Sequence, residues 1–151
     1  MLREINRDRE PVLKPWTVAL IPIHILKEHE EINEEHFREL LKTIVNDKVL
    51  KMPILVDFKT LIILDGHHKV AVLKALEAKV TPAFLADYSS NNVQVSSWRN
   101  GFKVDKNLVI KAGLSGVKLP FKTSKHILRG IKIPPVNIPL EALGVNLNYE
   151  V

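Results

Sequence analysis

Apolar positions recur along this chain with two different periods. Phe37, Leu40, Leu41, Ile44 and Val45 fall at i, i+3, i+4, i+7 and i+8, a single stripe that predicts a helix from about Glu34 to Asp47. Asn33 stands where it can cap that helix, and Glu34 and Glu35 occupy the first turn, where the helix dipole favours acids. Ahead of it, Val18-Ala19-Leu20-Ile21-Pro22-Ile23 reads as a strand that Pro22 ends at a sheet edge or bulge. The first fifteen residues read as an N-terminal arm.

Two short apolar runs, Pro53-Ile54-Leu55-Val56 and Leu61-Ile62-Ile63-Leu64, are split by the polar Asp57-Phe58-Lys59-Thr60 and predict a hairpin. The second leads straight into Asp65-Gly66-His67-His68-Lys69. Behind that, Val70, Ala71, Val72, Leu73, Ala75 and Leu76 predict a largely buried helix to about Glu77. Thr81–Ala86 and Val93–Trp98 are two further candidate strands. Beyond them the pattern weakens. Asp105–Ala112 is expected as a short helix stopped by Gly113, Leu119–Leu128 has no clear period, and Pro139–Leu143 suggests a single helical turn. Strands alternating with helices predict an α/β (α+β) fold, a small mixed sheet with flanking helices.

The length of 151 residues suits one domain over 1–151, with 99–151 as a less regular segment. No apolar run approaches the roughly 20 residues of a membrane span. The N-terminus alternates charge and lacks the apolar stretch of a secretory signal, so the chain is read as cytoplasmic. There are no cysteines, which removes disulfides, zinc–thiolate sites and thiol chemistry. The formal net charge of +5 is unevenly spread. Residues 1–75 balance 12 Lys+Arg against 12 Asp+Glu, whereas Arg99–Lys132 carries nine basic residues and one acid, Asp105. Such a segment suits a polyanion, either nucleic acid or nucleotide phosphate, or is simply a solvated basic face.

The junction at Asp65-Gly66-His67-His68-Lys69 carries the most chemistry. Gly66 permits a tight turn with positive φ, and the next helix opens with free N–H groups and the positive end of its dipole. That arrangement binds anions, phosphate above all, and His67, His68 and Lys69 are expected to add donors and positive charge. Asp65 fits beside phosphate if it holds Mg²⁺, directly or through water. The plainer alternative makes Asp65 a helix cap and the two histidines ordinary residues. Adjacent histidines point about 100° apart on a helix, a poor zinc pair. A second cluster, Glu28-His29-Glu30-Glu31, either complements the helix dipole or supplies a general base.

Taken in order, Leu26-Lys27-Glu28-His29-Glu30, Lys51-Met52-Pro53-Ile54-Leu55, Leu64–Lys69, Asp87–Trp98, Phe121–Leu128 and Val136–Glu141 resemble the archaeal free L-serine kinases, enzymes of the ParB/sulfiredoxin-like fold. The resemblance implies phosphorylation of L-serine to O-phospho-L-serine with ATP or ADP as donor. It puts the catalytic glutamate on Glu30, with Asp65 and His68 as further catalytic residues. Phosphate binding falls on Asp65, Gly66, His67, His68, Lys69 and Thr123. Substrate binding falls on Glu30, His68, Trp98, Ser124, Lys125 and His126. Trp98 has the alternative of packing in the core. The sequence departs from the family at Glu28, usually Pro, and at Lys69 and Lys125, usually Arg; lysine keeps the charge but loses bidentate geometry. The chain also lacks a long middle insertion of the larger members. ParB-like domains occur in DNA-associated proteins too, which makes a DNA-binding module the alternative. Against it, the turn reads Asp-Gly-His-His, and no helix-turn-helix pattern follows Trp98. Sulfiredoxin chemistry is excluded by the missing cysteine.

Overall fold

The computed structural model describes residues 12–147, so most of the expected N-terminal arm lies outside the described residues. Strand β1 (Thr17–Pro22) is followed by helix α1 (Glu34–Asp47), whose first turn Asn33 caps by accepting from the His36 N–H at 2.9 Å. The short β2 (Val49–Leu50) precedes the expected hairpin, β3 (Ile54–Asp57) and β4 (Ile63–Asp65), which pair antiparallel. The Asp57 carboxylate holds the turn between them by accepting from the Thr60 N–H and hydroxyl. Helix α2 (His67–Ala75) carries the chain to β5 (Val80–Ala86).

These strands form a four-stranded mixed sheet in the order β1-β5-β3-β4. Strand β5 runs parallel to β3 and antiparallel to β1, which places Pro22 on an edge where its missing N–H costs no ladder bond. Strands β3 and β5 are buried on both faces, and their side chains alternate between two cores. Ile54, Val56, Ala83 and Leu85 face α1 and α2 with Ile44, Val70, Val72 and Leu73. Leu55, Phe84 and Ala86 face the other way, with Ile62, Leu64, Tyr88 and Val109.

The second core is closed by segments whose sequence pattern is weak. Helix α3 (Lys106–Ser115), capped by Asp105, does not stop at Gly113 as expected but runs on to Gly116, where φ reaches 77°. Gly113 is there for contact: a Cβ on it would lie 2.7 Å from Ile62 Cγ1 and Cδ1, so its bare backbone lets the helix pack onto that side chain. Strands β6 (Val93–Ser97) and β7 (Ser124–Leu128) form an antiparallel ribbon, with Ser97 opposite Ser124 and Val95 opposite His126. A strand within Leu119–Leu128 is not visible in the period of its residues; the pairing with β6 supplies it. Strand β8 (Ile138–Pro139) pairs with β2, and Leu140–Leu143 forms the expected single turn. Among the described residues no helix is long and apolar enough to cross a membrane.

Gly66 joins sheet to helix and meets two demands. Its φ is 108°, and a Cβ would come 2.6 Å from Ile54 Cγ2 and 2.9 Å from Ile54 Cβ. The obstacle is the root of a core side chain and cannot swing away. Gly66→Ala is therefore expected to destabilise the protein by about 2 kcal/mol or more, through strain and the forced shift of β3. Urea unfolding of the variant beside the parent checks this.

Candidate active site

A pocket of about 320 Å³ is lined by Glu30, His36, Leu40, Leu64, the run Asp65–Lys69, Trp98, Phe121, Lys122 and Ser124. A larger cavity, about 460 Å³, lies beyond the C-terminal end of α2 and contains none of the residues expected at the site. The smaller pocket gathers contributions from the α1 region, the β4–α2 junction and the β6–β7 ribbon, segments far apart in sequence.

One wall is the start of α2. No side chain caps it, and its first intrahelical bond runs from the Val70 N–H to the Gly66 carbonyl at 3.0 Å. The N–H groups ahead of Val70 thus have no intrahelical partner and carry the positive end of the dipole. Asp65 is exposed beside them, and its carboxylate takes no hydrogen bond from the described residues. Burial lowers the Lys69 pKa and the Asp65 charge pulls it back up; its ammonium makes one long contact, 3.5 Å, to the Met52 carbonyl.

The two histidines do not play the expected part. His67 is buried, and its Nε2 accepts from the His29 N–H at 3.1 Å. His68 Nε2 accepts from the Asn33 N–H at 3.0 Å. A ring nitrogen that accepts from an amide carries no proton, so both imidazoles are held neutral with the proton on Nδ1. Burial drives the His67 pKa well down, with the neighbouring His29, His126, His68 and Lys118 charges acting in the same direction; burial and His36 lower His68. The expectation that they bring positive charge to a phosphate is therefore corrected. They tie the 29–33 segment to α2 by accepting from the His29 and Asn33 amides, which need acceptors. His68 still faces the pocket, stacked on His36 at 4.2 Å between ring centroids.

On another wall, Glu30 Oε1 accepts three hydrogen bonds, from the Ser124 N–H at 2.8 Å, the Ser124 hydroxyl at 3.0 Å and the Thr123 N–H at 3.2 Å. Oε2 takes none from the described residues, which leaves it for a ligand. The backbone around Glu30 is fixed by pairing with 119: the Leu119 N–H donates to the His29 carbonyl and the Glu31 N–H to the Leu119 carbonyl, both at 2.8 Å. Glu28 receives Lys74 at 3.4 Å and Lys118 at 3.3 Å, so the residue that replaces the family's proline ties α2 and the 118–120 segment to this strand-like stretch.

The C-terminal residues expected at the site divide. Ser124 lines the pocket, but Thr123 is fully buried and its hydroxyl donates to the Pro120 carbonyl, so its side chain is not free for phosphate. His126 lies behind the pocket, not in it: its Nε2 bonds the Tyr88 hydroxyl at 2.8 Å, and burial lowers its pKa to about 3 although the Leu64 backbone acts to raise it. That corrects its expected contact with substrate. The alternation of β7 explains it, since Ser124 and His126 share a face but His126 sits two residues deeper along the ribbon. Trp98 is 55% exposed at the pocket rim, which excludes the core alternative, and Lys125 Nζ sits 4.6 Å from its ring centroid. His36, Phe121 and Lys122 line the pocket without having been given a role, and His29, named only within the Glu28–Glu31 cluster, bonds Ser124 Oγ behind it. His36 had a readable signal, four residues before Leu40 on α1; Phe121 and Lys122 stand in a segment with no period.

No model of a protein family matches the chain. In sequence it is related to an ATP-dependent L-serine kinase of Desulfurococcus mucosus, 33% identical over 97 residues, which are 62% of this chain and 38% of that protein. The ADP-dependent L-serine kinase SerK of Thermococcus kodakarensis is 30% identical over 110 residues, 68% of this chain and 46% of that one. A ParB-like protein of Sulfolobus acidocaldarius is 30% identical over 83 residues, 55% and 41% of the two chains. The chain thus spans less than half the length of these curated relatives. A free serine kinase solved in complex with AMP superimposes with a TM-score of 0.74 at 15% identity, over 90% of this chain and 97% of that one. This chain has the free serine kinase fold.

Proposed function

We propose that this chain is one catalytic domain, 1–151, of a small-molecule kinase that transfers the terminal phosphoryl group of ATP or ADP to the hydroxyl of free L-serine, giving O-phospho-L-serine. The observation that carries the reading is a single pocket with an uncapped helix start on one wall and a carboxylate bound through one oxygen on another. The relatives named L-serine kinase support it. The N–H groups at the start of α2 hold the phosphate, and Glu30 Oε2 takes the hydroxyl proton as the serine oxygen attacks the terminal phosphorus and the bond to the leaving phosphate breaks. Lys69 and Lys122 offset charge on the transferring group. In this reading Lys125, whose Nζ lies over the Trp98 ring at the rim, meets the serine carboxylate, and Ser124 and His68 shape the pocket. Completion of the site by residues 99–151 is supported by the grip of Thr123 and Ser124 on Glu30.

The residues present fit Mg²⁺. Asp65 is an exposed carboxylate with no competing hydrogen bond, and Mg²⁺ bound to a nucleotide commonly takes only one or two protein carboxylates beside the phosphates. Bound there, it would neutralise charge on the phosphate oxygens. Among the described residues no group of three or more His, Asp or Glu forms a metal cage of its own. A cytoplasmic location goes with this reading, since ATP and ADP are available there.

The basic surplus of Arg99–Lys132 and the ParB-like relative favour a second reading, a DNA-associated module. Much of that charge is engaged within the chain: Lys118 with Glu28, Arg129 with Gln94, Arg99 with the Phe121 carbonyl, and Lys106 with the Ser90 carbonyl. The test is phosphoryl transfer from Mg·ATP and from Mg·ADP to L-serine and a panel of small alcohols, with duplex binding measured on the same preparation. O-phosphoserine is the expected product. No transfer to any acceptor, together with salt-sensitive DNA binding, would overturn the kinase reading.

A further inference from the structure

Behind Glu30 lies a hydrogen-bond count that does not close by itself. His29 is 0% exposed; its Nδ1 stands 2.7 Å from the Ile63 carbonyl and its Nε2 2.9 Å from Ser124 Oγ. A carbonyl only accepts, so Nδ1 carries the proton and, in the neutral ring, Nε2 is an acceptor. Burial lowers the His29 pKa to about 4, which keeps the ring neutral near pH 7. Ser124 Oγ therefore faces two acceptors, His29 Nε2 at 2.9 Å and Glu30 Oε1 at 3.0 Å, with one hydroxyl proton to give.

We propose that Ser124 and His29 are positioning residues for Glu30, the Ser124 hydroxyl donating to Glu30 Oε1 while that carboxyl is ionised and turning to His29 Nε2 once Glu30 has taken up a proton. The inference rests on reading Glu30 as the base. A donor fixed on a carboxylate favours the charged form and weakens the base. A donor with a second acceptor within reach can leave when the charge is gone, because the bond it makes to His29 replaces the one it gives up. The two backbone N–H groups of Thr123 and Ser124 stay in place throughout and keep Glu30 aimed. No bond other than hydrogen bonds changes, and the proton taken from the substrate remains on Glu30.

Other titratable groups face this set. His67 from α2 and His126 from β7 pack on the His29 ring at 4.6 and 5.9 Å between centroids. Asp65, His68, Lys69, His36 and Lys122 share the pocket with Glu30. None of them is within hydrogen-bond reach of Ser124 Oγ, so their influence is common to all the variants below.

The test is the titration of the Glu30 carboxyl followed by carbon-13 NMR in the full chain without substrate, which does not depend on kinase activity. In Ser124→Ala the midpoint is expected to move to higher pH, by about 0.7 unit or a five-fold change in proton affinity, the effect of one lost hydrogen bond. In His29→Asn the amide can keep the bond to Ile63 while removing Nε2, so the hydroxyl stays on Glu30 and the midpoint moves the other way. Ser124→Thr, which retains the hydroxyl, should restore the parent value. Shifts of the same sign in Ser124→Ala and His29→Asn, or no shift in Ser124→Ala, would overturn the proposal. Should His29→Asn fail to fold, the Ser124→Ala and Ser124→Thr pair and the nitrogen-15 shifts of His29 decide: an Nε2 that carries the proton in the parent overturns it. Absence of phosphoryl transfer with these titrations as expected would count against the kinase reading and not against the switch.

Discussion

Replacing Glu30 with Gln is expected to lower turnover about 1,000-fold, the range for loss of a general base, while nucleotide affinity stays within about two-fold. The substitution is well controlled by the structure. Glu30 Oε1 is the atom held by Thr123 and Ser124, and the Gln carbonyl oxygen can accept the same hydrogen bonds. Only Oε2 changes, from an oxygen that can take a proton to an amide that cannot. In the proposed reaction the nucleotide binds at the α2 start, which Gln leaves untouched. Rates of O-phosphoserine formation, with calorimetric nucleotide titration of the same variant, separate the two effects. A Gln variant with parental turnover would remove Glu30 from the base role, and one that also lost nucleotide binding would show that the pocket had collapsed.

The second large effect concerns stability in mild acid. His29 and His126 lie behind the pocket and His67 in its wall, packed on one another, with pKa values lowered first of all by burial, to about 4 for His29 and about 3 for His126. In the folded state they are neutral, whereas the unfolded chain protonates them near the ordinary value of about 6.5. Between those limits the unfolded state binds more protons, so stability is full above about pH 6.5 and falls as the pH drops toward the folded values. From pH 7 to pH 5 each of His29 and His126 is expected to cost about 2 kcal/mol, and His67 acts in the same direction. Against a typical stability of about 5–15 kcal/mol this is a large share. Urea midpoints measured at intervals from pH 7 to pH 5 should fall steadily, in a window where carboxylates scarcely titrate. A flat profile would mean that these rings are not held neutral.

These two expectations draw on very different amounts of sequence information. Helix α1 could be read from its apolar stripe and Asn33, and the β3–β4 hairpin from two apolar runs around a polar turn. The Gly66 junction was legible because glycine between a strand and a helix has a distinct conformational signature, and because acid, glycine and cation together are a chemical pattern as well as a structural one. The chain after Trp98 was largely illegible. Residues 119–128 have no apolar period, since β7 is a ribbon strand held by β6 and only partly buried. Gly113 looked like a stop and is a contact, because a glycine's role depends on what approaches it.

Local pattern therefore determined the α/β class, the main elements through β6 and the glycine turn after β4 that opens a helix without a side-chain cap. These depend on residues within a few positions of each other, whose preferences are set by short-range sterics and by alternation of burial. Tertiary structure alone decided the partners of the polar groups. It turned His67 and His68 into neutral acceptors for the 29–33 backbone, withdrew Thr123 and His126 from the pocket, and brought Ser124 onto Glu30 across 94 positions of chain. A side chain's proton, charge and reach are set by what the fold places within about 3 Å of it, and that distance is not encoded in any local run of residues.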